Sequence, residues 1–297
     1  QVDECPNIYV AHLLNTGQAN TSFTAITLFI MPLMWLTRHA VDSADLFVNG
    51  RFFALELFWL NIVLLTLATG EKLFSRRGLI ALAGAATLAP LWDYGFEIRH
   101  DNLFLSGMLL LWCVLRVRPE GVQSYFIAGA MAVLLEFVAF KAFVYVIPIS
   151  FVFLLYPPPG HKGTRAKLLV GWLIGATVAF LLVRIGYGMT GIWDVYLQGF
   201  RNISKAAGGS GRFPPWSTLA RLLTQTPLLL ALAISGLVAM AGELWQRRKA
   251  AITWTGNMPE AFLLLVALGA LIINPVPHPY NLLHLVPYAY LLAWRYG

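Results

Sequence analysis

Long apolar runs alternate with short polar junctions along the chain. A helix needs about 20 apolar residues to cross the ~30 Å hydrocarbon core of a bilayer, and runs of about that length recur. The pattern predicts an all-α fold, a polytopic transmembrane helical bundle of about nine spans with short interfacial helices in addition. We predict spans near residues 50–70, 79–96, 102–117, 122–140, 142–157, 167–187, 224–243, 260–274 and 281–295.

Three segments do not fit the pattern of full spans. Residues 6–16 predict a short amphipathic helix. Residues 24–41 contain Pro32 and are consistent either with a span or with a helix lying in the membrane interface. The stretch 188–223 contains KAAGGSGRFPP, which predicts a mobile loop that is either a connector or a cover for a substrate.

Composition and charge support a lipid environment. Hydrophobic residues make up 58% of the 297 residues and charged residues only 12%, whereas soluble domains carry about a quarter charged residues. The net charge of +7 is divided among short clusters at every second junction, which is typical of topology signals and argues against a nucleic-acid partner. The clusters are Lys72–Arg77, Arg116–Arg118, His161–Lys167, Arg247–Lys249 and Arg295.

The remaining junctions are therefore expected to face the periplasm, the lumen or the cell exterior, and they carry an unusual set of polar residues. A charge near hydrocarbon costs about 2.5 kcal/mol or more. One interpretation is ion pairing at helix ends, Arg99 with Asp101 or Glu136 with Lys141; the other is a shared polar cavity. The set comprises Asp3, Glu4, Arg51, Asp93, Glu97, Arg99, Asp101, Glu136, Lys141 and His278.

Such a cavity suits transfer chemistry on a lipid phosphate. A carboxylate acts as a general base toward a hydroxyl, and a nearby cation neutralises a phosphate leaving group in the transition state. A lipid-phosphate substrate keeps its tail in the bilayer and presents its phosphate at the depth of these residues. Carboxylates together with lysine and arginine therefore favour transfer from a polyprenyl-phosphate carrier.

Five segments in order carry a family resemblance. They are VDECPNIYVAHLLNTGQ with Asp3 and Glu4, NGRFFALELFWLNIVLL with Arg51, GFEIRHDNLFLSGMLLLW with Asp101, EFVAFKAFVYVIPISFVFLL with Lys141, and HPYNLLHLVPYAYLLA with Tyr280. Together they resemble the multi-spanning GT-C glycosyltransferases, the superfamily of protein O-mannosyltransferases and bacterial aminoarabinose transferases acting on lipid A. The chain departs from the aminoarabinose transferases at QANTSFTAITLF, which lacks their Lys-Pro, and at Ala142, which replaces a glycine.

The resemblance implies roles for individual residues. It implies that Asp3 and Asp101 are catalytic, Asp3 as the general base or an acceptor-orienting carboxylate and Asp101 as a group that positions hydroxyls. Substrate-binding roles are implied for Glu4, which supports Asp3; for Arg99, which orients Asp101; for Arg51 and Lys141, which neutralise the departing phosphate; and for His278 and Tyr280, which line the donor pocket. His278, beside two prolines, is also consistent with an ordinary loop residue. No metal site can be matched, and the need for a divalent metal stays open.

The resemblance also implies partners, a location and a chain organisation. The partners are a polyprenyl-phosphate sugar donor, a lipid, glycan or protein acceptor, and membrane lipids. The expected location is a bacterial inner membrane with the site facing the periplasm. Residues 1–297 would form a single transmembrane catalytic domain, a fragment of a longer chain that lacks its first span.

Two rival hypotheses remain. A transporter or flippase of a lipid-linked or anionic solute would use similar buried cations, and it predicts repeated halves or broken helices near the midplane. The sequence shows no internal repeat. A non-catalytic assembly subunit would use these charges only to pair helices, so that substituting Asp3 or Lys141 would affect folding rather than turnover.

Overall fold

The structure is a computed structural model that describes residues 4–17, 28–117, 121–139, 141–155, 163–209, 216, 220, 223–224, 226–246, 258–273 and 279–296. Every regular element in these ranges is helical, so the predicted all-α class is confirmed there. The α-helices are α1 Glu4–Asn15, α2 Ile30–Thr37, α3 Ser43–Ala68, α4 Arg76–Ala86, α5 Ala89–Tyr94, α6 His100–Trp112, α7 Val122–Val138, α8 Phe143–Leu155, α9 Arg165–Met189, α10 Ile192–Gly209, α11 Pro227–Gln246, α12 Met258–Ile273 and α13 Val286–Tyr296. A π-helical turn, Cys113–Val117, continues α6, and a 3₁₀ helix, Pro279–His284, precedes α13.

Two helices of the described residues, α3 and α9, are long and apolar enough to cross a membrane. Only 28% of the most apolar window of α9 is buried by the rest of the protein. In a soluble protein the apolar side chains of a core helix are covered by the rest of the fold, whereas most of the apolar window of α9 is uncovered. The count of about nine spans stays a prediction.

Helix α9 packs closely against α7 through small residues. Gly171 and Gly175 are four residues apart on α9, and a Cβ atom at Gly175 would collide with the Phe126 carbonyl oxygen of α7. In the same way, a Cβ atom at Gly129 of α7 would collide with the Trp172 carbonyl oxygen of α9. Small residues at this spacing let two backbones approach each other and are typical of helix pairs in membranes.

Three predicted boundaries need correction, and one open alternative is narrowed. The predicted span 79–96 is two helices, α4 and α5, because Pro90 stands in the first turn of α5, where its fixed φ and missing N–H suit a helix start. The predicted loop 188–223 contains the helix α10, in which apolar and polar residues recur with the period of a helix and so form two opposite faces. The span 281–295 opens as a 3₁₀ turn before α13. Within 24–41, α2 has 8 residues, about 12 Å of helix, which is too short to cross a bilayer.

Helices α6 and α13 run in the same direction through the core, since their starts meet at one polar cluster and their ends at another. His284, just before α13, contacts Asp101 at the start of α6. At the other end of the bundle, Arg295 of α13 contacts Glu260, which also lies beside Arg116 of the turn that follows α6. The sequence predicts that the Asp101 end faces outward and the Arg295 end inward, and this orientation stays a prediction. The two polar clusters are separated by 15 residues of helical rise, about 22 Å.

Candidate functional site

A fully buried carboxylate, Asp101, lies at the centre of the candidate site, with an exposed fraction of 0%. The Lys141 ammonium is bonded to its Oδ1 atom, and Nε2 of His284 lies 3.2 Å from the same oxygen. Nε of Arg99 lies 3.2 Å from Oδ2, and Nε2 of His100 lies 3.9 Å from it. We call these five residues the Asp101 cluster. The structure thus brings together three residues predicted from the sequence, Arg99, Asp101 and Lys141.

Interruptions of the helical backbone place the members of this cluster. Arg99 is extended, with φ −133° and ψ 146°, so it turns the chain into α6 immediately before Asp101. Helix α7 ends at Val138, Ala139 is extended, and a turn that closes with a hydrogen bond from Ala142 N to Ala139 O at 2.8 Å carries Lys141. His284 is the last residue of the 3₁₀ helix. Side chains from three breaks therefore converge on one carboxylate.

The surrounding cations keep Asp101 ionised. Burial by itself raises the pKa of this carboxyl, since the charged form loses its hydration. Burial is the largest single effect, but the charges of Lys141, His100 and His284 and the hydrogen bond of His284 together outweigh it, so the pKa of Asp101 is held well below its usual range. A buried charge persists only with such partners, because its desolvation is otherwise too costly.

Sequence reasoning missed two members of the cluster, His100 and the more deeply buried His284. The side chain of His284 is 3% exposed, and its ring lies between Phe104 and Tyr145, with ring centroids 4.9 and 5.4 Å away. Nδ1 of His284 has no hydrogen-bond partner among the described residues. The available signal was a polar residue within the apolar run LLHLVPYAYLLA.

The loop that leads into α6 also receives two contacts from the N-terminal part of the chain. Nη1 of Arg51, on the exposed face of α3, donates to the Phe96 carbonyl at 3.0 Å. Nδ2 of Asn7, in the first half of α1, donates to the Ile98 carbonyl at 3.2 Å. Both contacts fall within five residues of Asp101. The predicted phosphate contact of Arg51 stays a prediction.

The other predicted residues are only partly described. The backbone of Glu4 begins α1, one turn before Asn7, and the backbone of Tyr280 lies in the 3₁₀ helix, but the description does not extend to their side chains. Asp3 and His278 lie outside the described residues. Pairing of Lys141 with Glu136 was one of the two interpretations; in the structure Lys141 bonds to Asp101, and Glu136 accepts a hydrogen bond from the Phe143 backbone.

A buried polar chain supports the start of α6. The Ser106 hydroxyl donates to Asn61 Oδ1 at 2.8 Å, and Asn61 Nδ2 donates to the Asn102 carbonyl at 3.2 Å. Asn102 Nδ2 donates in turn to the Glu97 carbonyl at 2.8 Å. These bonds tie α3 and the first turns of α6 to the loop before Asp101, which makes Asn61, Asn102 and Ser106 positioning residues that sequence reasoning did not identify.

A second buried carboxylate, Glu260, lies at the opposite end of α6. It is 1% exposed, and its Oε1 lies 2.9 Å from Nε of Arg295 and 3.6 Å from Nε of Arg116. We call these three residues the Glu260 cluster. Sequence analysis did not identify Glu260, although a carboxylate at the start of the apolar run PEAFLLLVALGALII was a visible signal.

An apolar groove of about 510 Å³ runs along α6 between α3 and α7. Its lining includes Leu103, two residues beyond Asp101, and Val138, three residues before Lys141. Leu60 and Leu110, further along, are about half exposed, so the groove opens on the side of the bundle. Among the described residues, no group of three or more His, Cys, Asp or Glu side chains is placed to hold a metal ion.

Comparisons with protein-family models, with curated proteins and with solved structures found no match to this chain.

Proposed function

We propose that this protein is a membrane glycosyltransferase that moves a sugar from a polyprenyl-phosphate donor to a hydroxyl of a lipid, glycan or protein acceptor. The observation that supports it best is the convergence of segments far apart in sequence on the loop that ends at Asp101. Asn7 is 91 residues from its partner Ile98, Lys141 is 40 from Asp101, and His284 is 183 from Asp101. Arg51 reaches the same loop across 45 residues. Each of the five segments of the family resemblance thus contributes to one region.

The chemistry that suits this region is an inverting displacement. The acceptor oxygen attacks the anomeric carbon, the bond from that carbon to the phosphate oxygen breaks, and its electron pair leaves with the phosphate. Lys141 and Arg99 supply positive charge near this leaving group, which stabilises the transition state. The hydroxyl proton passes to a base, for which there are two candidates: Asp3, predicted from the sequence, and the imidazole beside Asp101.

A lipid-linked donor is consistent with the surfaces of the bundle. The exposed apolar face of α9 and its close glycine packing against α7 suit a lipid environment. The groove along α6 is apolar and begins within three residues of Asp101 and Lys141, so it suits part of a prenyl chain whose phosphate lies at the Asp101 end. In this proposal the protein is a multi-pass inner-membrane protein, and the Asp101 end faces the periplasm.

The test uses protein purified from the full-length gene, incubated with membrane-extracted polyprenyl-phosphate sugars, with donor consumption followed by mass spectrometry. Asp3→Asn and Asp101→Asn are compared with the intact protein after thermal unfolding has shown that all are folded. Asp194→Asn is the matched control, because Asp194 is exposed on α10. Consumption by the intact protein and the control, but not by Asp101→Asn, supports the proposal. No consumption by any of them contradicts it.

The second candidate is a transporter or flippase of a lipid-linked or anionic solute. The ion pair of Asp101 and Lys141 supports the transporter hypothesis, since ionisable residues within membrane proteins commonly mark ion and substrate pathways. Vesicles that contain the purified protein and a labelled polyprenyl-phosphate sugar separate the two hypotheses. A transporter moves the intact donor between leaflets, whereas a transferase shortens it to the polyprenyl phosphate.

A further inference from the structure

We propose that His284 is the proton acceptor in this reaction and that Asp101 is the residue that orients it. The inference rests on the proposed function and assigns its base to a residue for which the family resemblance implies no role. It starts from two facts, the 3.2 Å contact between His284 Nε2 and Asp101 Oδ1, and the lack of a hydrogen-bond partner for Nδ1 among the described residues.

The contact with Asp101 determines which ring nitrogen carries the hydrogen. An ionised carboxylate only accepts hydrogen bonds, so Nε2 must donate. In a neutral imidazole the other nitrogen then holds a lone pair. Nδ1 of His284 is therefore the basic atom of the ring, and it lies in a side chain that is 3% exposed. Buried polar atoms almost always have hydrogen-bond partners in folded proteins, and the acceptor hydroxyl is the donor that this atom would receive.

Asp101 is poorly arranged to take the proton itself. Both carboxylate oxygens already have partners, since Oδ1 is bonded to Lys141 and His284 and Oδ2 lies 3.2 Å from Arg99. A hydroxyl that approached either oxygen would have to displace a charged donor. The same contacts suit Asp101 to a different task, which is to hold the ring in one tautomer and to stabilise the imidazolium that forms.

The proposed step transfers one proton and exchanges one bond at the anomeric carbon. As the acceptor oxygen bonds to the anomeric carbon, its proton moves to Nδ1 of His284, and the carbon–oxygen bond to the phosphate breaks with both electrons on the phosphate. Imidazolium and phosphate form together, so the imidazolium charge is balanced by Asp101 on one side and the new phosphate charge by Lys141. The imidazolium then returns its proton to water.

Glutamine and alanine at position 284 separate a base from a positioning group. Glutamine places an amide N–H near the position of Nε2 and can still donate to Asp101, but it has no basic nitrogen. We expect His284→Gln and His284→Ala both to lower donor consumption by about 10²- to 10⁴-fold, the usual contribution of general base catalysis. His39→Gln, at an exposed histidine, should retain full activity.

Three results would overturn the inference, and each contradicts a different part of it. Full activity of His284→Gln with loss in His284→Ala would make His284 a positioning residue. Loss in Asp3→Asn with full activity in both His284 variants would make Asp3 the base. A lack of donor consumption by the intact protein would remove the glycosyltransferase, and His284 would lose its role with it.

A spectroscopic measurement tests the tautomer without turnover and without a variant that must fold. The protein is labelled with ¹⁵N-histidine, and the ring nitrogens of His284 are observed by solid-state NMR in membranes at neutral pH. We expect a protonated Nε2 and a bare Nδ1. A protonated Nδ1 would overturn the assignment of His284 as the base, whatever the substrate is.

Discussion

The two buried carboxylates of this protein are built differently. Asp101 is held by a lysine from a break between two helices, an arginine from a loop and a histidine from a 3₁₀ turn, with a second histidine, His100, beside it. Glu260 lies on a regular helix, and its ion pairs among the described residues are with two arginines, Arg116 and Arg295. Both clusters join the ends of α6 and α13, so position in the fold does not distinguish them.

The partners of each carboxylate indicate which cluster can take part in chemistry. Arginine stays protonated at any physiological pH, so the two arginines beside Glu260 can pair with it but cannot exchange a proton. An imidazole exchanges protons readily, and a lysine presents a compact charge to a phosphate. We therefore interpret the Glu260 cluster as a structural link and the Asp101 cluster as the reactive one.

Turnover should distinguish the Asp101 cluster from the Glu260 cluster more strongly than any other measurement. Asp101→Asn should lower donor consumption by about 10²- to 10³-fold, because it weakens both the orientation of His284 and the charge balance of the site. Glu260→Gln should leave turnover per folded molecule within about threefold, since the cluster only pairs charges. Both values come from the mass-spectrometric assay, normalised to folded protein. Equal losses in the two variants would contradict the assignment of one reactive and one structural cluster.

The next effect is on stability and concerns the Glu260 cluster. Arg295→Met should lower the free energy of unfolding by about 2–3 kcal/mol, less than for a fully enclosed pair because the Arg295 side chain is 27% exposed. The double variant Glu260→Leu with Arg295→Met should recover part of this loss, because it removes the unbalanced charge as well. Denaturant unfolding in detergent measures both. A double variant that is less stable than Arg295→Met alone would show that Glu260 does more than pair charges.

A smaller effect on stability and turnover is expected when the packing of α9 against α7 is disturbed, and this change should affect the Asp101 cluster but not the Glu260 cluster. Gly175→Ala should cost about 1–3 kcal/mol, because the new Cβ atom would collide with the Phe126 carbonyl and push α7 away from α9. Turnover should fall as well, since Lys141 follows the end of α7 by three residues. Gly186→Ala on the same helix is the control, as a Cβ atom there meets nothing within 4 Å. Unchanged turnover in Gly175→Ala would mean that α9 does not position Lys141.

The smallest effect concerns the polar chain behind the site. Ser106→Ala removes the donor to Asn61 Oδ1 and should cost about 1 kcal/mol of stability, with a modest loss of turnover because Asn61 also holds the start of α6. Ser235→Ala, at an exposed serine of α11, is the matched control. A stability equal to that of the control would show that this chain of hydrogen bonds contributes nothing to the site.

The energetic cost of charges at the ends of apolar runs identified part of the Asp101 cluster from the sequence. Arg99, Asp101 and Lys141 stood out because charges at the ends of apolar runs are expensive, and the structure does bring these three together. The partner of Lys141 could not be chosen from sequence alone. Glu136 is five residues away and Asp101 is 40 residues away, and only the packing of α7 against α6 makes the distant carboxylate the nearer one in space.

His284 and Glu260 were missed for a related reason. Each is a single polar residue at the margin of an apolar run, where a neutral imidazole or a solvated helix end would raise no question. Their significance comes from partners on other helices, Asp101 for His284 and Arg295 for Glu260. Helix α10 was missed because glycine and proline near its end suggested a loop, while its apolar residues Ile192 and Tyr196 pack onto the bundle.

Sequence patterns alone establish the helical class, the approximate location of most helices and three charged members of the Asp101 cluster. Those properties follow from local patterns, since apolar runs of a given length and breaks at proline act over a few residues. The tertiary structure fixes which charge meets which, where a histidine becomes the partner of a carboxylate, and which carboxylate is paired with arginines alone among the described residues. These depend on distances between helices far apart in the chain, and no pattern along the chain contains them.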